Sequence, residues 1–231
     1  MDHERANSFG LNADQYDRVW PRYPSEAINH VMRVATRPTR RVLEIGCGTG
    51  ICTRAFLRRG AHVVAIDPNS DMLVVARSRS DATDLVSWEQ ARFEDWDPEA
   101  RMFDLVVAGQ SWHWIEPEIG CRRAAAVLRP GGALALMWNR PAPDGFEHRA
   151  ALDEGYRAVA PNLVPGAASV FTFTLKAEAD RLRAVGPFQS IETITFAWSR
   201  TLTSDEYVEL LALIRTTRCS TPIRSSACST G

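Results

Sequence analysis

Through the middle of the chain, short apolar runs alternate with longer stretches in which apolar residues recur at helical spacing. Residues 42–45, 61–66, 85–91, 103–108 and 133–138 are compact, β-branched or alanine-rich, and flanked by Gly, Pro or Asp. Such runs read as strands, and near-continuous apolar character suits strands covered on both faces. Between them the spacing predicts helices over 50–59, over the stretch carrying Met72, Leu73 and Ala76, and over 117–127. The cluster Pro68-Asn69-Ser70-Asp71 supplies an N-cap for the second of these, and Leu128-Arg129-Pro130-Gly131-Gly132 a turn after the third. Strand and helix in regular alternation predict an α/β, Rossmann-like, doubly wound sheet. It is mostly parallel, in the order 3-2-1-4-5.

The flanks are less regular. Residues 1–24 are too rich in turn formers for one long helix and read as an arm, leading into a helix over 27–34 with Ser25 as its cap. Residues 36–40 form a basic surface loop. Residues 141–170 mix loop and helix, with 150–159 helical, and 176–185 is a helix stopped by Gly186-Pro187. Residues 190–198 alternate like a half-exposed sixth strand. A Thr203/Ser204 cap followed by Asp205-Glu206 opens a helix over 204–213. Residues 215–231 contain no acid and almost no large apolar side chain, and are expected to be disordered.

The chemistry concentrates where the first predicted strand stops. Glu44-Ile45-Gly46-Cys47-Gly48-Thr49-Gly50 places three glycines in alternation at a strand-to-helix turn. Glycine accepts positive φ and lets a ligand approach the backbone, while the helix start offers free amides. A dinucleotide fingerprint spaces its glycines Gly-x-Gly-x-x-Gly; here Ile51 holds the third position and Gly50 precedes it. The second strand ends in Asp67, about twenty residues after the first glycine, where a carboxylate accepts ribose hydroxyls. No pyrophosphate is needed to explain the loop, so an adenosine bearing an uncharged or cationic group fits better than NAD.

The seven residues 44–50 together with Asp67 resemble the cofactor site of class I S-adenosylmethionine-dependent methyltransferases. The resemblance covers roughly residues 42–140. It implies S-adenosyl-L-methionine as cofactor, with Glu44, Gly46, Cys47, Gly48, Gly50 and Asp67 in its site and Pro68 and Met72 beside the adenine. It also implies a backbone contact from Phe93, and Ala108 and Gln110 at the end of the fourth strand. Where the family has an acid reaching the adenine amino group, this chain has Arg92. In the family an arm often folds over the cofactor, which points to Tyr16 and Tyr23; its usual arginine is replaced by Trp20. The family also supplies a seventh strand late in the chain, and nothing after Leu213 has strand character. The resulting division is an arm and helix over 1–34, a methyltransferase domain over 35–214 and an atypical tail over 215–231.

Composition narrows function by exclusion. The chain has 231 residues, 45% hydrophobic and 24% charged, with a formal net charge of −1. That balance gives no electrostatic footprint for nucleic acid or an acidic membrane surface. Lys176 is the only lysine and lies in none of the loops or strands that phosphate-binding or Schiff-base chemistry requires. The five cysteines are scattered without a Cys-x-x-Cys pair, so free thiols in a cytoplasmic protein are expected and a metal site is not. The polar N-terminus does not read as a signal, and no long apolar run reads as a membrane span.

The reading is a methyltransferase acting on a small-molecule acceptor, with no nucleic-acid or membrane partner and an oligomeric state left open. A base is required only where the acceptor keeps its proton. His113 is the imidazole that falls on the ligand face, and packing between Trp112 and Trp114 is its alternative role. The two tryptophans are alternatively faces for the cationic sulfonium or the bound substrate. An NAD-linked oxidoreductase and a non-catalytic S-adenosylmethionine-binding protein with a defective C-terminus are the competing functions.

Overall fold

The computed structural model describes residues 12–36, 38–140 and 175–216, with isolated positions at 150, 154, 157 and 158. Two short helices, α1 (Ala13–Val19) and α2 (Ser25–Val31), precede the sheet. Pro24, not Ser25, is the N-cap of α2, because its fixed φ of −62° sets up the first turn without a side-chain cap. The core then runs β1 (Arg41–Ile45), α3 (Ile51–Leu57), β2 (His62–Asp67), α4 (Ser70–Ser78), β3 (Val86–Gln90), β4 (Phe103–Gly109), α5 (Pro117–Val127) and β5 (Leu128–Met137). Helices α6 (Leu175–Val185) and α7 (Ser204–Thr216) follow.

The sheet order is β3-β2-β1-β4-β5, and every pairing is parallel. Alternate residues of the central strands feed two cores. Val42, Val63, Ala65, Leu105 and Val107 pack with Phe56 of α3 and Ile28 of α2. Leu43, Ile45, Ile66, Val106 and Ala108 pack with Cys121, Ala124 and Val127 of α5. Both faces of β1 and β4 are therefore covered, which is why these strands read as near-continuous apolar runs, broken only by Glu44 and Asp104. At the end of the sheet opposite the glycine turn, Asp104 accepts from the amides of Arg40 and Arg41 and from Arg129.

Two elements differ from expectation. The turn 128–132 is the start of β5 itself: the strand begins directly after α5, and a register shift opposite Phe103–Leu105 absorbs the extra residues, with Gly131 at φ 81°. Residues 190–198 form no strand. Their apolar residues stay partly open, Ile194 at 40% and Trp198 at 39% exposure, and among the described residues β5 pairs only with β4. An alternating run becomes a strand only beside a partner, and among the described residues 190–198 has none. The predicted tail 215–231 lies almost wholly outside the described residues, and of the predicted helix 150–159 only the four isolated positions, all helical, are described.

Candidate functional site

The site is assembled where the connections leave β1 and β4 in opposite directions, the crevice at which doubly wound sheets bind ligands. Gly46, Gly48 and Gly50 have φ of 65°, 54° and 78°. At Gly46 an added Cβ would strike Ser111, whose hydroxyl donates to the Ile45 carbonyl, so this glycine lets the β1 and β4 ends close together. At Gly48 an added Cβ would meet nothing within 4 Å. The need for glycine there is conformational, and the space above it is open to a ligand.

Asp67 ends β2 and binds this loop directly. Its Oδ2 accepts from the Gly48 amide at 2.8 Å and its Oδ1 from the Asn69 amide at 2.9 Å. Burial pushes its carboxyl up, partly countered by those two amides. An ionised carboxylate offers about four acceptor positions, so two are left by the described residues for hydroxyl donors. Asn69 caps α4, accepting from the amides of Asp71 and Met72. Glu44 lies beneath the loop, 1% exposed, and its Oε2 accepts from Thr53 of α3 at 2.6 Å. Burial pushes the Glu44 carboxyl up to about 8. The Cys47 thiol is likewise buried and held well above its usual range.

The arm closes over this crevice. Tyr16 stacks on Trp20 at 4.5 Å and packs against the small cluster of Ala13, Met72 and Val75. Burial raises both Tyr16 and Tyr23 above the ordinary phenol range. Tyr23 reaches Gly109, where an added Cβ would lie 2.6 Å from its hydroxyl. Asp17, 6% exposed, receives Arg54 of α3 at 2.5 Å, and Arg54 also donates to the Thr49 carbonyl at 2.7 Å. Alongside α3, a cavity of about 320 Å³ is bordered by Arg22, Arg54, Arg58 and Arg79 with Asp17 among them.

The structure thus brings Glu44, Gly46, Cys47, Gly48, Gly50 and Asp67 together, with Tyr16 against Met72 and Tyr23 against Gly109. Pro68 is exposed at the β2 end, where its carbonyl accepts from Gln90. The side chains of Phe93 and Ala108 are buried in the core, leaving only their backbone for a ligand. Gln110 turns through φ 60°, its amide donating to the Met137 carbonyl. His113 sits exposed on a 3₁₀ turn, Trp112–Trp114, 4.7 Å from the Trp114 ring. Trp112 is 1% exposed and packs in the core against Gly120 and Ile115, so it offers no face to a ligand. Arg92 turns to Glu94 and Asp95.

Sequence reasoning missed Asp17, Thr53, Arg54, Ser111 and Asn139. Their signals are ordinary polar residues at unremarked positions, and only the folded chain shows their partners. Among the described residues, no group of three or more His, Cys, Asp or Glu is placed to hold a metal, and no helix is long and apolar enough to cross a membrane.

Comparison with known proteins gives a concordant result. The family model described as a methyltransferase domain matches residues 42–132. An uncharacterized methyltransferase of Mycobacterium tuberculosis is 40% identical over 134 residues, 57% of this chain and 52% of that protein. A ubiquinone biosynthesis O-methyltransferase of Xanthomonas campestris is 34% identical over 139 residues, 57% of this chain and 58% of its own. The solved CcbJ methyltransferase of Streptomyces caelestis is 25% identical, with a TM-score of 0.50 and 57% of each chain covered. The chain spans about half the length of the curated relatives it matches.

Proposed function

Because this chain carries a class I S-adenosylmethionine-dependent methyltransferase domain, we propose that it moves a methyl group to a small-molecule acceptor by in-line displacement. The observation that carries the reading is the glycine loop tied to Asp67 through the Gly48 amide, with open space over Gly48. Those residues fit the cofactor: the loop leaves room, and Asp67 keeps two acceptor positions for ribose hydroxyls.

When bound, S-adenosylmethionine supplies a sulfonium-activated methyl group that is already electrophilic. The chain's own work is binding, orientation and exclusion of water. Gly46, Cys47, Gly48 and Gly50 would present backbone to the cofactor above Glu44, with Pro68, Met72 and the Phe93 backbone around the adenine. Tyr16 and Tyr23 would cover it from the arm, and Ala108 and Gln110 would border the reacting side. Holding an acceptor in line supplies up to about 7–11 kcal/mol of the barrier. His113, exposed beside this face, would take the proton from an acceptor that enters protonated. The O-methyltransferase named among the relatives supports a small organic acceptor. A cytoplasmic setting, and no nucleic-acid partner, belong to the same proposal.

Titration calorimetry tests the cofactor: S-adenosylhomocysteine should bind and NADH should not, and binding of NADH alone would overturn the reading. Cell extract incubated with methyl-labelled cofactor then reports the acceptor by mass spectrometry. Label found only in nucleic acid or protein would reject the small-molecule class.

A further inference from the structure

Asn139 follows β5 and meets three separate segments of the site. Its Nδ2 donates to the Pro21 carbonyl at 3.3 Å and to the Arg22 carbonyl at 3.1 Å, both in the arm. Its Oδ1 accepts from Trp198 Nε1 at 3.2 Å, and its own carbonyl accepts from Gln110 Nε2 at 3.1 Å. The partners fix the amide's orientation, since carbonyls only accept and an indole N–H only donates. The bonds to Pro21 and from Gln110 are part-buried, whereas those to Arg22 and from Trp198 are exposed.

The three segments are those on which the site depends. Pro21 and Arg22 lead straight into Tyr23, whose hydroxyl lies over Gly109. Gln110 is the next residue and holds a left-handed backbone that a residue with Cβ resists, so it persists only when its surroundings hold it. The Met137 carbonyl fixes its amide and the Asn139 carbonyl fixes its side chain. One residue therefore sets both the seating of the arm and the shape of the loop beneath it.

We propose that Asn139 is a positioning residue that clasps the N-terminal arm onto the Gly109–Gln110 loop and so closes the cofactor site. The proposal rests on the methyltransferase reading of that site. It assigns the arm's closure to hydrogen bonds from the β5 end, in addition to the aromatic packing of Tyr16 and Trp20. The side-chain donors matter most, because they hold the Pro21 and Arg22 carbonyls next to Tyr23; the Trp198 contact on Oδ1 is dispensable.

The test combines calorimetry with S-adenosylhomocysteine, mass-resolved trypsin cleavage between Arg22 and Tyr23, and the melting temperature. Asn139→Ala is expected to weaken binding by about tenfold, the loss of one or two hydrogen bonds, and to speed cleavage of the arm severalfold. Asn139→Asp keeps the shape and the acceptor but has no donors, and should behave like Asn139→Ala. Trp198→Phe should leave affinity and cleavage within about twofold of the parent protein. Parent-like affinity and cleavage in Asn139→Asp would overturn the clasp. So would a lower melting temperature with affinity and cleavage unchanged, which is the mark of a purely structural residue. If the parent protein itself fails to bind S-adenosylhomocysteine, the cofactor reading falls, and arm cleavage alone then decides for or against the clasp.

Discussion

The Asp67 carboxylate accepts from the amides of Gly48 and Asn69, so it shapes the glycine loop as well as the proposed ribose site. Asp67→Ala is expected to weaken S-adenosylhomocysteine binding by about 1–3 kcal/mol, the range for a charge-assisted hydrogen bond, read by calorimetry. Glu44 gives a different signature. Burial pushes its carboxyl up to about 8 against the opposing pull of Thr53 and Arg54. A carboxyl that holds its proton more tightly when folded contributes fully below its unfolded pKa of about 4.3, and that contribution is lost as pH rises through about 8. Glu44→Gln keeps an oxygen for Thr53 and removes the titration. Its melting temperature should gain on the parent protein as pH rises from about 5 to about 8.5; a constant difference would show that Glu44 titrates normally. His113→Ala should lower turnover with little change in cofactor affinity. Turnover unchanged across about pH 6–9 would return His113 to its contact with Trp114.

At the scale of elements, the arm is held by charge as well as by aromatic packing. Burial pushes the Asp17 carboxyl up, but the hydrogen bond and charge of Arg54, with the charge of Arg22, hold it below the usual range. A depressed carboxyl contributes stability above its unfolded pKa of about 3.9 and loses it as pH falls through the folded value. The arm should therefore stay docked at neutral pH and loosen only in strong acid. Asp17→Asn removes that charge at every pH. It is expected to cost about 1–3 kcal/mol in thermal or urea unfolding and to speed trypsin cleavage after Arg18. Unchanged cleavage would mean that the Asp17–Arg54 pair does not hold the arm.

For the whole molecule, the sheet is unequal across its width. Strands β1 and β4 are dry on both faces and paired on both edges, whereas β5 has one described neighbour. Hydrogen exchange should accordingly find the slowest amides in β1, β2 and β4, and faster exchange in those of β5 that do not bond to β4. Protection of β5 equal to that of β1 would reveal a partner on its outer edge. The candidate cofactor crevice borders β1, β2 and β4, the strands expected to be the most protected.

The sequence by itself determined what local signals can carry. Apolar runs bounded by Gly, Pro and Asp marked β1 to β4 to within a residue and β5 from Ala133 onward, most plainly in β1 and β4, because a strand dry on both faces tolerates little else. The spacing of Gly46, Gly48 and Gly50 and the position of Asp67 marked the candidate cofactor loop, because positive φ and a strand-end carboxylate leave a compact trace. Only the tertiary structure decided the partners. Asp17 meets Arg54 across 37 residues and Asn139 meets Arg22 across 117, contacts that no period in the chain encodes. The same holds for Trp112 turning into the core and for 190–198 staying out of the sheet. Their local patterns were compatible with either outcome, and long-range packing, available only once the chain has folded, chose between them.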